Sequence, residues 1–257
     1  MSSSSSAPKV PLTRETLKRI AKDVRELHGD TLKEHGIYYR HSETNVLEGQ
    51  AVIFGAPNTP YDGGCYVFRF QFPEDYPHRP PTLTFASKGE RLRVNPNLYR
   101  NGKVCISILN TWRGPQWTGC QSISSILLAI RTSILGVPEP ILNEPGIYRS
   151  HSDFDNYHEI LRFKNLELAF WKVLKKLASG ECNLYRDLQC VIAKHMLKTF
   201  PHFLKGVEKY ANDDLKEIST MLYSMCAILD GKSFAKDVRD NADTVVNQLR
   251  KEFEIDV

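Results

Sequence analysis

Apolar residues open the chain at helical spacing: Leu17, Ile20, Val24 and Leu27 lie three, four and three positions apart, the period of one helix face. Thr13 stands where a side-chain oxygen would cap that helix and Gly29 where it would end. Lys18, Arg19, Lys22 and Arg25 occupy the opposite face. The period then shortens. Residues 37–40, 46–54, 65–72 and 82–85 are apolar or aromatic runs bounded by turn residues, which predicts four strands. The third alternates best, with Tyr66, Phe68, Phe70 and Phe72 on one face and Arg69 and Gln71 on the other; Val67 is the exception. Asp62-Gly63-Gly64 predicts a tight turn into that strand, and the short connections predict a meander.

Helical spacing returns with Ile123, Ile126, Leu127, Ile130 and Ile134, for a helix over 121–135 that Gly136 ends. A third helix is predicted over 153–177, where Phe163, Leu166, Phe170, Val173, Leu174 and Leu177 share a face. Ser179-Gly180 marks a boundary. Beyond it three more stripes read as helical: Leu188, Val191, Ile192 and Met196; then Leu215, Ile218, Met221, Leu222 and Met225; then Val238, Val245, Leu249 and Phe253. Such stripes are packing surfaces, and none resembles a ligand set. The chain divides into a serine-rich tail over 1–10, an α+β core over 11–178 and an all-helical extension over 179–257.

Composition narrows the function classes. At 257 residues with 41% hydrophobic and 25% charged positions, the chain can bury a sizeable core and is not a disordered polymer. A net charge of +4 without blocks of like charge gives no footprint for nucleic acid. The longest apolar runs are far too short to span a bilayer, and the serine run lacks the basic and apolar regions of a signal peptide. The six cysteines, at 65, 105, 120, 182, 190 and 226, match no zinc spacing and predict reduced thiols in a cytoplasmic or nuclear setting. No metal site is expected.

Chemistry concentrates in residues 95–117. Asn95-Pro96-Asn97 and Asn101-Gly102 are turn formers, and Cys105 follows between Val104 and Ile106. An isolated Val-Cys-Ile would be a buried core cysteine. Here flanks rich in glycine, asparagine and tryptophan predict a thiol reached from solvent, as a nucleophile requires.

This stretch resembles the ubiquitin-conjugating (E2) enzymes, whose hallmark is His-Pro-Asn, seven residues, then the cysteine that carries the modifier. Asn95 replaces the histidine, as in the Z-type E2 branch, which also has a similar Tyr-Arg-Asn-Gly-Lys-Val-Cys run. Tyr61-Asp62-Gly63-Gly64, then Phe72-Pro73-Glu74-Asp75-Tyr76-Pro77 with Pro80-Pro81, and Trp117 before its helix, match further blocks, so the resemblance covers residues 12–177. It implies the UBC fold: a four-stranded antiparallel meander flanked by helices, here with a C-terminal extension, which Z-type E2 enzymes also carry.

The resemblance implies an enzyme that accepts ubiquitin or a ubiquitin-like modifier from an E1 as a thioester on Cys105 and passes it to a substrate lysine, with an E3 ligase. ATP and magnesium would belong to the E1, leaving the E2 with no cofactor. Asn97 matches the motif asparagine, which either donates to the tetrahedral oxyanion or braces the loop. Asn143 and Glu144 match the Z-type Asn-Glu-Pro and are the candidate gate, one orienting and the other accepting a proton. Ser107 stands two residues past the cysteine, where many E2 enzymes have aspartate or serine; here it is read as a polar strand-end residue. His151 and His158 are read as surface or helix residues. The first helix would dock the E1 through Lys18, Arg19, Lys22 and Arg25, and Pro73, Pro77, Pro80 and Pro115 would lie on the E3-facing loops. The alternatives are a catalytically silent E2-like module and a papain-like hydrolase; the cysteine disfavours the first and its sequence context the second.

Overall fold

The computed structural model describes residues 12–255 apart from 28 and 88–91; the serine-rich segment over 1–10 lies outside the described residues. Thr13 caps α1 (Arg14–Glu26) as its side chain predicts, accepting the Thr16 N–H at 3.1 Å. The inward face is more polar than its stripe suggested. Ile20 is buried, but Leu17 is 39% exposed, and Thr16 and Asp23 are buried beside Ile20. Both have partners: the Thr16 hydroxyl donates to the Glu74 carbonyl at 2.9 Å, and Asp23 accepts from the Tyr76 hydroxyl and the Arg19 guanidinium. Gly29 does not end α1, which Leu27 caps; it opens the short α2 (Asp30–Glu34).

Four strands form one antiparallel sheet in sequence order: β1 (Ile37–His41), β2 (Glu48–Phe54), β3 (Cys65–Gln71) and β4 (Thr82–Phe85). Register sets Tyr39 opposite Ala51, Ala51 opposite Phe68 and Phe68 opposite Phe85, so these residues share the face turned to the main core. The helix α3 (Ile123–Ser133) starts at a Ser122/Ser125 capping box and buries Ile123, Ile126, Leu127 and Ile130 in that core. The long third helix is α4 (Phe154–Lys164), a π-helical turn (Asn165–Trp171) and α5 (Lys172–Ala178). At the π turn Asn165 accepts from the Tyr66 hydroxyl at 2.6 Å and donates to the Asp62 carbonyl at 2.8 Å. Gly64 faces it, and a Cβ there would lie 2.0 Å from the Asn165 oxygen.

The C-terminal region packs on both the sheet and this helix. From α6 (Arg186–Glu208), His195 stacks on Phe54 at 3.6 Å and Phe203 on Phe170 at 4.1 Å. Asp187 pairs with Arg40 at 2.9 Å, and the Tyr185 N–H just before the helix reaches Gln50 at 3.0 Å. The second sheet face is thus covered, which explains why Ala51, Val52, Ile53 and Phe54 are all buried without alternation. The region is otherwise helical, ending in α7 (Gly231–Phe253), whose Val238, Val245, Leu249 and Phe253 are buried as their spacing predicts. One stretch differs. The expected stripe from Leu215 to Met225 is an antiparallel hairpin, β5 (Lys216–Thr220) and β6 (Met225–Leu229). Ile218, Thr220, Met225, Ala227 and Leu229 are buried, while Leu215 and Met221 are 64% and 85% exposed. Period two with β-branched residues won over a chance match to period 3.6.

Candidate active site

The stretch 95–117 folds back on itself around Cys105. Asn95 is completely buried and uses its whole amide. Its Nδ2 donates to the Tyr61 hydroxyl at 2.9 Å and the Ile134 carbonyl at 3.2 Å, and its Oδ1 accepts the Asn97 N–H at 2.8 Å. Asn97 in turn holds the cysteine: its backbone carbonyl accepts the Cys105 N–H at 2.8 Å, and its Nδ2 donates to the Cys105 carbonyl at 2.7 Å. Downstream, the Thr111 hydroxyl accepts the Ile106 N–H at 3.0 Å and donates to the Val104 carbonyl at 2.8 Å. Left-handed Asn110 accepts the Trp117 N–H at 2.8 Å. Ser107, half-buried, opens a single 3₁₀ turn (Ser107–Leu109) under Gly114, whose φ of +128° and close approach both suit glycine.

These closures leave Cys105 only 1% exposed, where its flanks predicted a thiol reached from solvent. The turn residues are the reason, because their side chains are spent on backbone groups and draw the loops inward. All six cysteines are unpaired, and Cys120 and Cys226 are the exposed ones.

A second segment meets the first. Pro140–Asn143 makes one 3₁₀ turn that brings the Asn143 Nδ2 to 3.0 Å from the Asn97 Oδ1 and 2.8 Å from the Ser133 carbonyl. Asn97, Cys105 and Asn143 are therefore one hydrogen-bonded unit. Glu144 follows, and its Oε2 accepts from the Tyr223 hydroxyl at 2.5 Å. Burial, with Glu144 beside it, pushes the Tyr223 phenol well above its ordinary range, so it stays a donor. Arg93 spans the same region: its guanidinium lies over the Tyr99 ring at 3.3 Å and 4.9 Å from the Tyr223 ring, and it donates to the Asn95 and Pro96 carbonyls. Sequence reasoning missed Arg93 and Tyr223, because one stands alone between turns and the other sits in a run read as helix. His151 accepts the Asp153 N–H at 3.1 Å, and buried His158 bonds the Phe154 carbonyl at 2.7 Å. Among the described residues no cluster of His, Cys, Asp or Glu has the grouping of a metal site, and no helix is long and apolar enough to cross a membrane.

Residues 19–157, which hold this whole asparagine-cysteine unit, match the model of the ubiquitin-conjugating enzyme family. The chain belongs to that family. It is 34% identical over 194 residues to ubiquitin-conjugating enzyme E2 Z of Xenopus tropicalis, and 35% identical over 192 residues to the Homo sapiens E2 Z. Each alignment takes in 74% of this chain, and the chain spans 59% and 52% of those relatives. The dual E2 ubiquitin-conjugating enzyme/E3 ubiquitin-protein ligase BIRC6 of Homo sapiens is 41% identical over 119 residues, 44% of this chain and 2% of that protein. The likeness to E2 Z over most of the chain gives this E2 its Z-type affinity.

The predicted docking residues of this E2 fall into two groups. Lys18, Lys22 and Arg25 are exposed along α1, but Arg19 is turned inward. It pairs with Asp23 at 2.8 Å and donates to the Gly119 and Gln121 carbonyls, joining α1 to the segment before α3. Pro73, Pro77 and Pro80 are half-buried and Pro115 is exposed. Trp117 links their loops, since its indole N–H donates to the Pro77 carbonyl at 2.7 Å and its ring lies 5.8 Å from Tyr76.

Proposed function

We propose that this E2 carries ubiquitin, or a ubiquitin-like modifier, as a thioester on Cys105 and delivers it to substrate lysines. The observation that carries the reading is the Asn97–Cys105–Asn143 unit, which fixes one cysteine beside two amide side chains within a family-matched segment. In loading, the Cys105 thiolate attacks the thioester carbonyl on the E1, forms a new C–S bond and releases the E1 thiolate. In discharge, a lysine amine attacks the same carbonyl, a C–N bond forms, the C–S bond breaks, and the amine loses its proton. Glu144 is the candidate acceptor of that proton, and Asn97 stabilises or positions the reacting carbonyl. Both steps require the loops over Cys105 to give way.

The chemistry needs no cofactor on the E2, because activation is spent upstream with ATP and magnesium on the E1. It also needs reduced thiols, which suits the cytoplasm or nucleus. The exposed Lys18, Lys22 and Arg25 are proposed to meet the E1, and the Pro73, Pro77, Pro80 and Pro115 loops the E3. The test is a loading assay with E1, ATP, magnesium and ubiquitin, run with and without thiol. A one-ubiquitin adduct that collapses with thiol, and that becomes thiol-resistant in Cys105→Ser, supports the reading. No adduct with any ubiquitin or ubiquitin-like modifier and its E1 overturns it.

A further inference from the structure

We infer that Tyr223 is a positioning residue for Glu144, so that the hairpin of the C-terminal extension forms part of the transfer site. The inference rests on the reading of Glu144 as the proton acceptor in lysine discharge. Its ground is the way the link between β5 and β6 is held. Tyr223 and Ser224 adopt left-handed backbone, φ 63° and 45°, uncommon for residues with a Cβ and kept only where the surroundings over-determine it. Four groups of the core do so. The buried Asp153 carboxylate accepts the Leu222 N–H at 2.7 Å, and the Arg100 guanidinium donates to the Tyr223 carbonyl. The Arg93 N–H points to the Met225 sulfur at 3.2 Å while its side chain lies against the Tyr223 ring, and Tyr157 packs 6.1 Å from that ring.

What this anchoring delivers is a single polar contact, the Tyr223 hydroxyl on the Glu144 carboxylate. The partners reach the asparagine-cysteine unit from both sides. Glu144 is covalently next to Asn143, which bonds Asn97, and Arg93 bonds the carbonyls of Asn95 and Pro96. A carboxylate on a loop has several rotamers of similar energy, and one charge-assisted hydrogen bond selects among them. Packing alone would not require the phenol oxygen; the ring would serve.

The experiment separates the two half-reactions. Tyr223→Phe keeps the ring and removes the oxygen. Expected is loading by E1 near the wild-type rate, with single-turnover discharge to free lysine slowed roughly ten-fold, the low end of what one hydrogen bond to a charged group contributes, at an unchanged half-saturating lysine concentration. Glu144→Gln should be slow in the same step, and adding Tyr223→Phe to it should cost nothing further, since both act through one contact. Arg100→Gln, which loosens the anchor without touching the phenol, should give an intermediate loss. Wild-type discharge in Tyr223→Phe, or losses that add in the double variant, overturns the inference. So does faster discharge, which would make the contact a brake. Failure of the wild-type protein to load any modifier overturns the conjugating reading itself, a result distinct from all of these.

Discussion

Two asparagines separated by one proline have different work in this protein. Asn95 is buried with every polar atom of its amide bonded, joining the loop to Tyr61 and the end of α3. Asn97 spends its amide on the cysteine's own peptide group and on Asn143. Asn95→Ala should therefore cost folding stability, about 1–3 kcal/mol for stranded buried partners, read as a lower denaturant midpoint. Asn97→Ala should instead slow discharge to lysine more than loading, with the smaller effect on the midpoint. Equal losses in both half-reactions would make Asn97 a brace alone. Both asparagines stand out in the sequence as turn formers, and the spacing to Cys105 singles out the second. The burial of Cys105 was not legible, because it depends on Thr111, Asn110 and Trp117 closing the loop behind it.

At the scale of elements, the sequence reveals most where one face is wet. Strand β3 alternates and was readable; β2 does not, because α6 covers its second face, and a continuous apolar run carries no period. The hairpin β5–β6 mimics a helix in its sequence for a related reason. Its exposed Leu215 and Met221 completed a helical stripe that its buried residues alone do not make. The alternation gives a direct check. Ile218→Ala should cost about 2–5 kcal/mol as a buried large-to-small change, while Ile228→Ala, at a position 53% exposed, should be nearly neutral. Equal effects would count against the hairpin.

The helix α6 carries a titrating side chain against the sheet. His195 lies on Phe54, and burial, helped by Lys198, lowers its pKa from 6.5 to about 4. The unfolded chain then binds more protons than the native one between these values, so His195 contributes stability above about pH 6.5 that is lost as pH falls toward 4. His195→Phe should flatten the fall of the denaturant midpoint over that window. His41 and His158, also lowered by burial, would keep the remaining slope. An unchanged slope would show that His195 is solvated in solution.

For the whole molecule, the domain division drawn at Ser179-Gly180 conceals how much is shared across it. Phe54, Phe170 and Trp171 precede that point, yet they pack on His195, Phe200 and Phe203 beyond it. The Trp171 indole and Lys175 both bond Asp237 of α7 at 2.7 Å. A chain ending at residue 178 would expose these aromatic side chains together. It should bind a hydrophobic dye and aggregate at concentrations where the full chain stays monodisperse; clean, dye-free behaviour would show that the core folds independently. Nothing in the sequence pattern alone distinguishes this packing from a tethered, separate unit, because an amphipathic stripe does not name its partner.

The cover that α6 places over β1 and β2 has a consequence for anything that approaches the sheet from that side. The helix is joined to α5 by the short segment 179–185 and buries Leu188, Ile192, Ala193 and Met196, so it would act as an intramolecular competitor for that face. A ligand for the same strands therefore binds only in the fraction of molecules whose helix has lifted, and its apparent affinity is reduced by that fraction. The packing of the helix would thus set a threshold, passed only by ligands whose intrinsic affinity outweighs its displacement.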